Sequence, residues 1–139
     1  MKKIFVASIF FAFATFMFNT NAGNTKTAVK TKPEKIEVYY FHFTHRCVTC
    51  LAVENETQKA LPSLYPKLFK AGKIIFTSVN LDDKDSKVLA EKCKAEGQSL
   101  LIISGNKRID LTDKGFMYAK NDPEKLKVEI KKSIDSLIK

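Results

Sequence analysis

A run of β-branched and aromatic residues, Ile36-Glu37-Val38-Tyr39-Tyr40-Phe41-His42, passes through the short polar loop Phe43 to Arg46 into Cys47-Val48-Thr49-Cys50 and a helix-like stretch. The first run reads as a buried strand. A strand, then a helix opened by a Cys-x-x-Cys pair, then a second strand make a crossover unit that favours parallel strands. From the pair onward Val48, Leu51, Ala52 and Leu61 recur at helical spacing, with Glu54, Glu56, Gln58 and Lys59 on the other side. Pro62 and Pro66 are expected to break or kink this helix. A second segment with Leu64, Tyr65, Leu68 and Phe69 continues to Ala71-Gly72.

The remaining elements follow in alternation. Lys73 to Asn80 reads as a second strand. Asp82 or Asp83 is placed to cap a helix that runs to about Ala95, with Val88, Leu89 and Cys93 as its apolar face and Gly97 as its stop. Ser99 to Ser104 is a third strand with an all-apolar centre. Gly105-Asn106 is a hairpin signal, and Arg108 to Thr112 is a short fourth strand expected at the sheet edge. A loop is expected next. Asp122-Pro123-Glu124 then starts a last helix whose stripe is Leu126, Ile130, Ile134 and Leu137. The order βαβαββα predicts a four-stranded mixed sheet flanked by helices on both faces.

At 139 residues the chain has room for one domain. A 45% hydrophobic and 28% charged composition excludes a wholly disordered chain. Much of the apolar content sits at the start. Lys2 and Lys3 precede an uncharged run from Ile4 to Phe18, followed by Asn19-Thr20-Asn21-Ala22-Gly23. A basic start, an apolar stretch of this length and small residues at Thr20 and Ala22 describe a secretory signal peptide over residues 1–22. The run is shorter than the about 20 residues of a spanning helix. Residues 23–34 are polar and read as a flexible linker, and residues 35–139 as the folded domain. The expected location is therefore periplasmic or secreted, with a mature form that does not span the membrane. The net charge of +9 comes from 24 Lys+Arg against 15 Asp+Glu. The basic residues are interleaved with acids, as on a solvated face, and an exported chain is not expected to meet nucleic acid.

Cys47 and Cys50 carry the chemistry. At a helix start the first sulfur lies over unpaired backbone N–H groups and the positive end of the helix dipole, which favours thiolate. His45 and Arg46 add positive charge beside it. The expected reaction is attack by Cys47 on a disulfide and resolution by Cys50, with no cofactor. Two other readings remain open. One is a static disulfide, although so small a loop constrains the unfolded chain little. The other is a site for a thiophilic metal or metalloid, since His42, His45, Cys47 and Cys50 form His-x-x-His-x-Cys-x-x-Cys. Cys93 shares a helical face with Leu89 and reads as a buried free thiol. Phe116, Met117 and Tyr118 are expected to pack between the last strand and the last helix, with a lip over the site as the alternative.

Residues 36–138 resemble a thioredoxin-like domain with Cys47-Val48-Thr49-Cys50 at the redox motif. The stretches Tyr39 to Cys47, Ser99-Leu100-Leu101 and Leu111 to Ala119 are similar to a small bacterial thioredoxin-like family described as nitrophenyl compound nitroreductase subunit. The resemblance implies a thiol–disulfide oxidoreductase, or a non-catalytic subunit of a larger reductase. The implied partner is a protein disulfide or dithiol, a reductase among the candidates, met by a monomer. It also marks departures. The chain has no Trp, and no Gly-Pro lies inside the motif. Phe41 stands where thioredoxins hold a buried acid, and Gln98 stands where they place a cis-proline against the redox pair. Gln98 is thereby a candidate for substrate contact.

Overall fold

The computed structural model describes residues 34–138. The signal peptide expected over residues 1–22 and nearly all of the expected linker lie outside them. Strand β1 (Ile36–His42) is followed by helices α1 (Val48–Leu64) and α2 (Pro66–Lys70), strand β2 (Ile74–Asn80) and helix α3 (Ser86–Cys93). Strands β3 (Ser99–Ser104) and β4 (Lys107–Asp110) come next, then helices α4 (Thr112–Tyr118) and α5 (Pro123–Ile138). The protein is α/β, with a four-stranded mixed open sheet in the order β2-β1-β3-β4. The crossover makes β1 and β2 parallel, with Ile36 opposite Ile74 and His42 opposite Asn80. β3 runs antiparallel to β1, and β4 antiparallel to β3.

Alternation along the central strands divides the core. Ile36, Val38 and Tyr40 of β1 and Leu100 and Ile102 of β3 face one side. There they meet Val53, Ala60 and Leu61 of α1 and Leu126, Ile130 and Ile134 of α5. Tyr39, Phe41 and Leu101 face the other side, against Ala90 and Cys93 of α3 and Val79 of β2. Both faces of the central strands are thus covered, which is why they read as continuous apolar runs. The expected strands at 36–42 and 99–104, the stripe of the last helix and the edge position of β4 are all present.

Several local expectations are corrected. Pro62 does not break α1, which continues to Leu64. The residue is solvent-facing in the last turn, and the carbonyl it leaves unpaired belongs to the exposed Gln58, where water can serve. The break falls at Tyr65, before Pro66 opens α2. The buried face of α1 is Cys50, Val53, Thr57, Ala60 and Leu61, while Val48 is 69% exposed and Leu51 also faces solvent. On α3 the buried positions are Ser86, Ala90 and Cys93, with Val88 exposed. That helix starts at Ser86, later than expected, because the Asp83 carbonyl first accepts the Ser86 N–H and hydroxyl in a turn. It stops at Lys94, which takes a left-handed φ of 54°, so Gly97 is not its terminator. β4 ends at Asp110, and the expected loop is instead α4, anchored where Asp110 accepts the Thr112 N–H and hydroxyl.

Candidate active site

The loop between β1 and α1 is held to the end of β2 by a small polar network. The Thr44 N–H donates to Asp82 Oδ2 at 2.8 Å, and Asn80 Nδ2 donates to Thr44 Oγ1 at 3.0 Å. The Leu81 N–H donates to the His42 carbonyl at 2.7 Å. Asp82, expected to cap a helix, therefore fastens the approach to the cysteines. The amide of Thr44 holds its carboxyl below the usual carboxylate range, with His45 and His42 contributing further.

Cys47 is the N-cap of α1, in extended conformation at φ −78° and ψ 166°. Its sulfur accepts the Cys50 N–H at 3.2 Å, in the place where a serine or aspartate oxygen usually caps a helix. The first turn carries no acidic residue to oppose a charge there. The Cys47 thiol is lowered from its ordinary value by the hydrogen bond from the Cys50 thiol and then by the amides of Cys50 and Thr49. Cys47 is exposed, and Cys50 is only 4% exposed. Burial pushes Cys50 up, as does its hydrogen bond to Cys47. One accessible sulfur is thus poised to ionise, and its buried neighbour is poised to keep its proton. Both are free thiols.

Gln98 lies where the sequence placed it, with Oε1 at 3.5 Å from Cys50 Sγ. It also lines an open polar cleft of about 650 Å³ shared with Lys94, Glu96, Ser99, Arg108 and Asp110. Arg46 does not hold its charge over Cys47. Its guanidinium pairs with Glu54 on the second turn of α1, and both side chains are partly buried. His45 is solvent-exposed, within electrostatic reach of Asp82. The lowering at Cys47 therefore comes from Cys50 and the backbone amides, and Arg46 and His45 are not among its causes.

His42 is buried, and its Nδ1 donates to the Phe43 carbonyl at 2.9 Å. Among the described residues no group of three or more His, Cys, Asp or Glu side chains could hold a metal ion. The His-x-x-His-x-Cys-x-x-Cys spacing is thus not folded into a donor set. Cys93 is buried on the opposite face of the sheet, among Tyr39, Phe41 and Leu101. Phe116 and Tyr118 pack against the main core, as expected of them, while Met117 is exposed. Sequence reasoning gave Asp82 a different role, as a helix cap, and missed the pairing of Glu54 with Arg46. Only Glu54 had a local signal, as an acid one turn beyond a cysteine it was not connected to.

No protein-family model matches this chain, and no curated protein matches it. No described helix is long and apolar enough to cross a membrane.

Proposed function

We propose that residues 36–138 adopt a thioredoxin-like fold and that the protein is an exported thiol–disulfide oxidoreductase, acting in the periplasm or outside the cell. In this reading the Cys47 thiolate attacks a partner disulfide, forming a mixed disulfide and releasing one partner thiolate. Cys50 then attacks Cys47 Sγ, closing the Cys47–Cys50 bond and releasing the second thiolate. Two electrons pass from the pair to the partner, and the reverse sequence returns them. The sheet order and the position of the pair support the fold, and the apolar start of the chain supports export.

The observation that carries this reading is the pairing of an exposed, helix-capping Cys47 with a buried Cys50. An attacking thiol must be ionised and reachable, and a resolving thiol must wait protonated within reach. Phe43, Val48 and Leu51 are exposed and flank Cys47 in sequence, which suits an apolar segment around the partner's disulfide. The similarity to the nitroreductase subunit family adds a reductase as a partner class.

The test is a trap. With Cys50→Ser the mixed disulfide on Cys47 cannot resolve, so partners from a periplasmic or secreted extract stay attached under non-reducing conditions. Capture that disappears with Cys47→Ser supports the reading. An empty trap together with an ordinary Cys47 thiol pKa sinks it.

A further inference from the structure

Gln98 stands at the junction between the buried cysteine and the open polar cleft. It sits on the loop between α3 and β3, 48 residues from Cys50 in sequence, and is half-buried. The loop is anchored beside it. The Ser99 hydroxyl donates to the Gly97 carbonyl at 3.1 Å, and Ser99 lies opposite Phe41 of β1 in the sheet. Gln98 Oε1 thereby comes to 3.5 Å from Cys50 Sγ, where it accepts the thiol hydrogen. The other end of the amide, Nε2, has no partner among the described residues. Cys50 is only 4% exposed, so its sulfur depends on protein groups for hydrogen bonds. Of the titratable groups, Cys47 faces Cys50 from the same helix, Tyr40 lies within electrostatic reach on β1, and Glu54 of α1 is taken up by Arg46. Around Gln98 the cleft carries Lys94, Glu96, Arg108 and Asp110, with Asp113 of α4.

A thiol and a thiolate ask for opposite partners. The thiol gives a hydrogen and is met by a carbonyl oxygen, whereas the thiolate only accepts and is met by an N–H. A primary amide carries both on one carbon, and half a turn about its last side-chain bond exchanges them in nearly the same place. Gln98 can therefore serve either form of Cys50 with no movement of the backbone. Hydrogen bonds to a charged group are the stronger kind, so the net effect of the amide favours the thiolate. We propose that Gln98 is a positioning residue for the resolving step, its Oε1 holding the Cys50 thiol at rest and its Nε2 donating to the Cys50 sulfur as that sulfur ionises. The proposal rests on the exchange reading above. In the step, the Cys50 proton leaves to solvent, the thiolate attacks Cys47 Sγ, and the Cys47–Cys50 bond forms. The bond from Cys47 to the partner breaks, and its electron pair leaves on the partner sulfur. Cys50 is oxidised and the partner sulfur reduced, so no outside oxidant is required.

The protein carrying Cys93→Ala is reduced and mixed with a dithiobis-nitrobenzoate reagent in a stopped-flow cell across a range of pH. The first thionitrobenzoate leaves as the reagent caps Cys47, and the second leaves as Cys50 displaces it. Gln98→Met keeps the length of the side chain without the amide, and its first phase matches the parent's. Its second phase runs about tenfold slower at neutral pH and has its half-point about one pH unit higher. The two rates meet at alkaline pH, once Cys50 is ionised in both. Gln98→Leu gives the same shift and decides the matter if Gln98→Met does not fold. A lower alkaline plateau with an unmoved half-point is the mark of a purely structural role and overturns the proposal. So does a half-point that moves down, since the amide then only holds the thiol, and so does a second phase that superposes on the parent's. Each of these leaves the exchange reading standing. A parent protein with no second phase overturns both.

Discussion

The sulfur of Cys47 has two tasks at once, ending a helix and presenting a reactive atom. Serine is among the best helix caps and alanine among the poorest. Cys47→Ser should therefore retain the melting temperature, and Cys47→Ala should lower it, as differential scanning calorimetry will show, although both remove the thiol. Reactivity follows from the lowered pKa. Alkylation of Cys47 by iodoacetamide should stay fast below the ordinary thiol value of about 8.5 and fall only at more acidic pH. Asp82 works differently, because it restrains the loop and not the sulfur. Its folded pKa is depressed, so its contribution is complete above the ordinary carboxylate value of about 3.9 and is lost as pH falls through the lower folded value. Asp82→Asn should remove that acid-side dependence and loosen the amide of Thr44, read by hydrogen exchange. Cys47 and Cys50 were legible in the sequence as a short motif at the head of a helix, and Gln98 by its place directly before the apolar strand Ser99-Leu100-Leu101. Asp82 was not, since its partner Thr44 lies 38 residues away. Tyr40 was legible as core, because periodicity reveals that a side chain is buried, but periodicity says nothing of whether its hydroxyl is paired.

Elements differ in how plainly they announce themselves. β1 and β3 are near-continuous apolar runs buried on both faces, and α5 is apolar on a clean helical period with Leu126, Ile130 and Ile134 buried where the period puts them. α4 is short and has Gly115 in its middle, a composition that reads as loop. The structure shows why the glycine is there. A Cβ at Gly115 would meet Val53 Cγ1 at 3.2 Å and Leu100 Cδ2 at 3.4 Å, so its absence lets α4 lie against both α1 and β3. Gly115→Leu should cost about 1–3 kcal/mol in urea unfolding, through overpacking of this contact. The faces of α1 and α3 were misjudged at Val48, Leu51 and Val88 for a common reason. All three lie near helix starts, where one turn holds too few residues to fix a stripe. Gly105 is the other glycine with a required geometry, since φ of +55° opens the two-residue turn between β3 and β4. Arg108 of that edge strand donates to the carbonyls of Cys93 and Lys94, closing the end of α3 from across the sheet.

On the scale of the molecule, the sheet separates the Cys47–Cys50 pair at the head of α1 from a third thiol sealed under α3. Cys93 is 3% exposed, and burial raises its pKa. In the native protein a maleimide pulse should label it only when the α3 face opens, so its labelling should follow the unfolding curve in urea while Cys47 labels at once. The parallel crossover and the antiparallel hairpin meet at β1 and β3, and that central pair sets the height at which both Cys47 and Gln98 emerge. A cap made of ionised sulfur exists only while the pair is open. Closing the bond between Cys47 and Cys50 discharges the end of α1 and leaves its amides facing a neutral atom. In the proposed exchange reading the folded chain would then favour the dithiol, and a thermodynamic cycle turns that preference into a readiness to give the bond away. The reduced protein should melt above the oxidised one and equilibrate with glutathione as an electron acceptor stronger than an unstructured peptide bearing the same four residues.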